Sequence, residues 1–201
     1  MAAKSSLRNM ALCLTAVCLV CAAVLGVTYA VTKEPIEAAA VAEAQVSIAK
    51  VLPKGDAISE EKASDAEGIL GYYVQTAADG SVSAYAVKSV TGGFGGPLTL
   101  MVGVLPDGTV FNTSVLSHSE TPGLGAKCTE ENSHFREQWK GFAGRLAVTK
   151  DGGDVDAITA STITSRAYTL AVENALKVFA AILSDSEESV EPNVEGGQDN
   201  E

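Results

Sequence analysis

The chain has 201 residues, with 14 Lys+Arg against 25 Asp+Glu and a formal net charge of −11. That length allows one ordinary domain with appendages, and a hydrophobic content of 46% supports a real core and excludes wholesale disorder. The acidic balance argues against nucleic acid as a partner, because binding a phosphate backbone needs a clustered basic face.

Residues 1–10 form a short N-terminus carrying Lys4 and Arg8, and residues 11–31 follow as 21 positions without a charge. At about 1.5 Å per residue, a helix of that length just crosses a hydrocarbon core of about 30 Å. A cleaved signal peptide is the competing reading. It is opposed by the length of the apolar run and by Thr28-Tyr29-Ala30, a poor cleavage site. A lipoprotein signal is opposed by Val17 and Val20, which are not small, before Cys18 and Cys21. An uncleaved single-pass anchor in the cell (inner) membrane, embedded in lipid, is therefore expected. Lys4 and Arg8 precede it and only Lys33 follows closely, which puts the N-terminus in the cytoplasm and the rest outside.

Cys13, Cys18 and Cys21 fall within this run, where they read as small apolar residues and not as a redox C-x-x-C motif. Cys128 stands alone in the remainder, so no disulfide forms within it. With only His118 and His134 present, no zinc or haem constellation is visible.

After the anchor, residues 32–68 read as a helical linker. Thr32-Lys-Glu-Pro35 has the pattern of a helix start, with Thr32 as cap and Pro35 in the first turn. The alanine-rich residues 36–51 continue to Pro53, and the polar residues 54–68 form an irregular lead-in. A domain over residues 69–183 follows. Between 70 and 119 the hydrophobic period changes to two, with Ala78-Asp-Gly80 and Pro106-Asp-Gly108 as hairpin turns. These predict a four-stranded antiparallel sheet. Gly92-Gly-Phe-Gly-Gly-Pro97 has neither P-loop nor dinucleotide spacing and reads as the turn between hairpins.

Residues 130–141 suggest a short helix and 145–149 a strand. Residues 162–183 form a strong helix with Leu170, Ala171, Ala175, Val178, Phe179 and Ile182 on one face. The fold class is thus α+β, an antiparallel sheet with helices packed on one face, behind one transmembrane helix. From Ser184 to Glu201 there are seven acids and no base, a solvated, disordered tail whose removal leaves a body of −4.

Two segments carry chemistry. Asp156-Ala-Ile-Thr-Ala-Ser-Thr-Ile-Thr-Ser165 holds five hydroxyls where the strong helix begins. Such a cluster serves either as a plain helix cap or as an anion site, since free N–H groups and the helix dipole favour phosphate. Glu120-Thr-Pro-Gly-Leu-Gly125 is either a turn ending a hairpin or a glycine-lined shelf for a planar ring.

Taken together, these segments resemble a known family. Asp156–Thr162 is similar to the flavinylation motif D-x-x-S/T-G-A-T of the FMN-binding domain in membrane electron-transfer complexes, with Ala160 in place of Gly and Ser161 in place of Ala. The order of anchor, Lys33-Glu-Pro-Ile36, glycine turn, Glu120–Gly125 and threonine motif resembles the G subunit of the Rnf ion-translocating complex. The resemblance implies FMN bound covalently to Thr162 through a phosphodiester, installed by a separate flavin transferase. It implies Glu120, Thr121 and Leu124 beside the isoalloxazine ring and Thr159, Ser161 and Thr164 around the phosphate. Thr159, Ser161, Thr164 and Ser165 are rival acceptor hydroxyls.

The function implied is that of an electron carrier within a translocase that couples electron flow between ferredoxin and NAD to Na⁺ or H⁺ transport. Its partners would be the other membrane and peripheral subunits of the complex. With no nicotinamide fingerprint and no iron–sulfur ligand set, the chain would pass electrons between neighbours and not catalyse alone. The C subunit of the Na⁺-translocating NADH:quinone reductase shares the domain and motif. A membrane-tethered binding module without a redox role is the alternative from a different class.

Overall fold

The computed structural model describes residues 7–55 and 57–188. Helix α1 is Leu7–Val51, and strand β1 is Ala57–Ile58. Strands β2 (Ile69–Thr76), β3 (Val82–Gly92), β4 (Pro97–Val104) and β5 (Val110–Ser117) follow. Helices α2 (His134–Glu137) and α3 (Thr162–Glu188) come after them. Backbone contacts divide it between Glu43 and Ala44 into two units.

The described residues of the first unit are all helix. Every described side chain up to Glu43 is exposed, including Leu12, Leu14, Val17, Leu19, Val24 and Leu25. By length and composition this helix is long and apolar enough to cross a membrane. Cys13, Cys18 and Cys21 lie exposed on it as free thiols. The break expected at Thr32 is absent. Thr32 does not cap an N–H; its hydroxyl donates back to the Thr28 carbonyl at 2.8 Å, as Thr28 does to Val24 at 2.9 Å. Pro35 lies inside the helix, where its ring nitrogen has no proton to offer the Val31 carbonyl.

The second unit begins with the last turns of α1. Five strands pair antiparallel in the order β1-β2-β3-β4-β5, one more than the turn signals predict. The extra strand comes from the polar lead-in, too short to show a period: Ala57 and Ile58 pair with Thr76 and Gln75. A further bridge joins Lys62 to Tyr72. The two Asp-Gly hairpins form where expected. Asp79 Oδ1 accepts the Ser81 N–H at 2.9 Å, and Asp107 Oδ1 accepts the Thr109 N–H at 2.8 Å.

Both faces of the sheet are covered, not one. Alternate residues of β3 and β4 (Tyr85, Val87, Leu98, Leu100, Val102) meet Tyr168, Ala171, Val172 and Phe179 of α3. The opposite set (Ala84, Ala86, Met101) meets Ile48, Val51 and Leu52 at the end of α1. Gly103 makes that second packing possible: a Cβ there would collide with the Val51 backbone carbonyl.

The expected helix over 130–141 shrinks to α2, capped by Ser133 and preceded by a 3₁₀ turn at Gly125–Thr129. Phe135 and Trp139 pin the segment by packing edge-on and stacked, respectively, against Tyr168. The strand expected over 145–149 does not form. The chain folds back instead, through a 3₁₀ turn at Thr149–Asp151 and a single bridge from Val148 to Val155. The backbone bonds of this segment go to the returning chain, Val155 N–H to the Ala147 carbonyl at 3.0 Å and Thr149 N–H to the Val155 carbonyl at 2.9 Å, an approach for which Gly153 leaves room. Helix α3 runs past the expected end at 183 to Glu188, and the remainder of the expected tail, residues 189–201, lies outside the described residues. Though long and apolar enough to be compared with a membrane span, α3 is the core helix of this unit.

Candidate functional site

The N-terminus of α3 and the loop after β5 are brought together by one buried carboxylate. Glu120 Oε1 accepts the Phe94 N–H at 2.7 Å and the Gly95 N–H at 3.4 Å, from the β3–β4 turn. Its Oε2 accepts the Thr164 hydroxyl at 2.8 Å, from the first turn of α3. Its own N–H donates to His118 Nδ1 at 3.1 Å. Three segments far apart in sequence are thereby latched at one point. The glycines explain how a side chain can reach so far in: a Cβ on Gly93 or Gly125 would strike the Glu120 carboxylate, and one on Gly95 would strike the Ser119 carbonyl.

The latch forms one wall of a cavity of about 360 Å³, a size typical of small-molecule sites. Of the seven residues singled out in the sequence, Glu120, Thr121, Leu124, Ser161, Thr162 and Thr164 line it, and Thr159 lies exposed outside the lining. Phe94, Gly125, Ala160 and Ile163 complete it. Phe94 is the residue that reading of the chain missed. Its signal was there: a large aromatic held among four glycines, and it is 69% exposed at the mouth.

The hydroxyls of the motif differ in what they do. Ser165 is fully buried, accepts the Ile158 N–H at 2.9 Å and donates to the Ser161 carbonyl at 3.0 Å. Thr164 is committed to Glu120. Ser161 is buried at the cap position, and Thr162 is half-buried in the cavity wall with its hydroxyl unbonded among the described residues. The N–H groups of Thr162, Ile163 and Thr164 are the helix's first three, which have no intrahelical acceptor, so this cavity wall favours an anion.

Ala160 has φ +61°, the sole non-glycine at positive φ among the described residues. The turn into α3 requires the left-handed conformation, which explains why glycine is common at this motif position and shows that alanine keeps the turn under strain. A Cβ there costs roughly 1–2 kcal/mol, against about 0.5–1 kcal/mol for the extra freedom glycine loses on folding. Ala160→Gly is expected to raise the thermal midpoint by a few degrees, read by differential scanning calorimetry. An unchanged or lowered midpoint would show that the turn carries no strain.

Below the latch lies Cys128, fully buried. Burial foremost, and then the neighbouring Glu120 charge, pushes its thiol up to about 11, with Arg136 pulling the other way.

Residues 93–177 match the model of the FMN-binding domain, and residues 1–51 match that of the RnfG N-terminal region. The chain is 34% identical over 168 residues to the G subunit of the proton-translocating ferredoxin:NAD⁺ oxidoreductase complex of Clostridium ljungdahlii, covering 82% of this chain and 86% of that one. It is 34% identical over 177 residues to the G subunit of the ion-translocating oxidoreductase complex of Cereibacter sphaeroides, covering 80% and 78%. A solved structure of the C subunit of the Na⁺-translocating NADH-quinone reductase of Parabacteroides distasonis superposes with a TM-score of 0.48 at 24% identity, covering 71% of this chain and 83% of that one. With its matching N-terminal region, its FMN-binding domain and relatives alike along most of their length, the chain belongs to the RnfG family, the G subunits of Rnf-type ion-translocating oxidoreductase complexes.

Proposed function

We propose that this protein is the electron-carrying flavoprotein of an Rnf-type complex and that it holds FMN covalently, by a phosphodiester to the Thr162 hydroxyl. The observation that carries the proposal is the state of that hydroxyl. It belongs to the cavity wall at the N-terminus of a long helix and, among the described residues, is not spent on an internal hydrogen bond, whereas Thr164 and Ser165 are and Ser161 is more deeply buried. The residues present fit the group: the cavity has the necessary size, and the first-turn N–H groups of α3 are suited to a phosphate.

FMN, when bound, supplies reversible one- and two-electron chemistry. The chain's share is to bind and orient. The N–H groups of Thr162, Ile163 and Thr164, with the Ser161 hydroxyl, would face the phosphate, with Thr159 farther out. Leu124 and Thr121 would border the ring, together with Phe94. Glu120 would act from behind, since both of its oxygens are already engaged in holding the wall.

The Clostridium relative is named for a ferredoxin:NAD⁺ reaction, which supports the same coupling to ion translocation here, with the other subunits of the complex as electron partners and a flavin transferase as the maturation partner. The chain co-expressed with a flavin transferase, denatured and run on a gel, should fluoresce under ultraviolet light, and tandem mass spectra of the 156–166 peptide should place the mass on Thr162. A dark band would overturn the covalent reading.

Helix α1, through its uncharged residues 11–31, would be the single membrane span, in contact with lipid, with the N-terminus cytoplasmic and the FMN domain outside. Protease added to right-side-out vesicles should then digest the FMN domain. Digestion only after the membrane is broken would reverse the orientation.

A further inference from the structure

A second cavity, of about 530 Å³, shares no lining residue with the first. The end of α1 and the residues after it give it Lys50 and Lys54, β5 gives Asn112, and the segment around α2 gives Glu131, Arg136 and Lys140. Four of the chain's 14 basic residues thus converge on one acid, in a protein whose net charge is −11. That acid is taken: Glu131 pairs with Lys50 at 2.5 Å. Lys54 and Lys140 form no ion pair among the described residues.

Arg136 is the telling residue. It is only 8% exposed, yet no carboxylate pairs with it among the described residues. One Nη donates to the Thr113 carbonyl at 2.6 Å, and the buried Nε has no partner. A buried guanidinium is ordinarily matched by an anion, because desolvating the charge is costly and its rigid fork of donors suits two oxygens at once. Carboxylates abound in this sequence, yet among the described residues none lies within ion-pair distance of this guanidinium, and the nearby Glu131 is paired with Lys50. The cation is held in a cavity wall, with two unpaired ammonium groups lining the same space.

We infer that this cavity is a binding site for a phosphate group, distinct in its lining residues from the FMN cavity. Four cations against one acid leave a surplus of three, which suits a dianion better than a single carboxylate, with Arg136 as the fork and Lys54 and Lys140 as mobile point charges. The phosphate could be free in solution or carried on a lipid headgroup, and the two sources are separable.

The test uses the full chain in neutral detergent, with thermal unfolding followed while inorganic phosphate replaces chloride at constant ionic strength. A saturable rise in the midpoint is expected. The Lys54→Ala/Lys140→Ala variant, whose residues lie outside the FMN cavity, should bind phosphate about tenfold more weakly or worse while keeping the flavin fluorescence of the parent. Arg136→Met should lose the response altogether if it folds; the lysine variant decides the matter if it does not. In nanodiscs, a higher midpoint in phosphatidylglycerol than in phosphatidylcholine, lost in the lysine variant, would name lipid as the source. A midpoint indifferent to phosphate and to lipid charge, or a lysine variant responding like the parent, overturns the inference.

Discussion

Thr162→Ala will yield a folded protein that carries no flavin resistant to denaturation. The loss of attachment is expected to be complete, because Ser161, the rival hydroxyl that also lines the cavity without a hydrogen bond among the described residues, is 7% exposed where Thr162 is half-buried. Ser165 is fully buried and doubly bonded, Thr164 is held by Glu120, and Thr159 lies outside the cavity lining. The cost in stability should stay within about 0.5 kcal/mol, since Thr162 begins the helix and its hydroxyl caps nothing. In-gel fluorescence and a thermal melt of the same preparation read the two quantities side by side. A fluorescent alanine variant would move the attachment to another hydroxyl. A dark and unfolded one would make Thr162 a structural residue.

Glu120→Ala should be the most damaging single change at the site. It strands the Phe94 N–H and the Thr164 hydroxyl, both otherwise satisfied by one carboxylate that is 6% exposed. Unsatisfied buried groups cost about 1–3 kcal/mol each, so a loss of about 2–4 kcal/mol is expected in urea unfolding, with poorer flavin loading besides. Glu120→Gln separates geometry from charge. Its amide oxygen can still accept from Phe94, and its NH₂ can donate to the Thr164 oxygen, so most of the stability should return, to within about 1 kcal/mol. Combining Glu120→Ala with Thr164→Val should be markedly less than additive, as befits partners in one bond. Strict additivity would mean that the latch does not join the two segments.

How much of this was legible beforehand depended on range. Local chemistry was readable. The Asp79-Gly80 and Asp107-Gly108 pairs turn where they promise to, because each aspartate bonds the chain two residues on. The hydroxyl motif and Glu120–Gly125 both point to the cavity that they line. Long-range partnership was not readable. Nothing near Gly93 or Gly95 announces that a side chain 25 or so residues on will bond the backbone between them. The glycine turn looks the same whether it merely reverses the chain or makes room for a carboxylate. Thr32 and Pro35 mislead for a related reason. The pair is compatible with a helix start and with a helix interior, and the decision lies with the apolar turns before it. The second face of the sheet was marked only by small residues, Ala84, Ala86 and Gly103, whose meaning appears once the end of α1 is laid against them.

Cys128 gives the latch another consequence. With its thiol near 11, only about one molecule in ten thousand presents a thiolate at neutral pH. Thiolate is the form that starts disulfide exchange and takes up peroxide, and an unpaired cysteine is a standing invitation to both. Here the invitation is withdrawn twice, by exclusion of solvent and by the negative charge of the residue that braces the cavity above. A domain belonging to an electron-transfer machine thus holds the one cysteine of its folded body away from the thiolate form that oxidants attack.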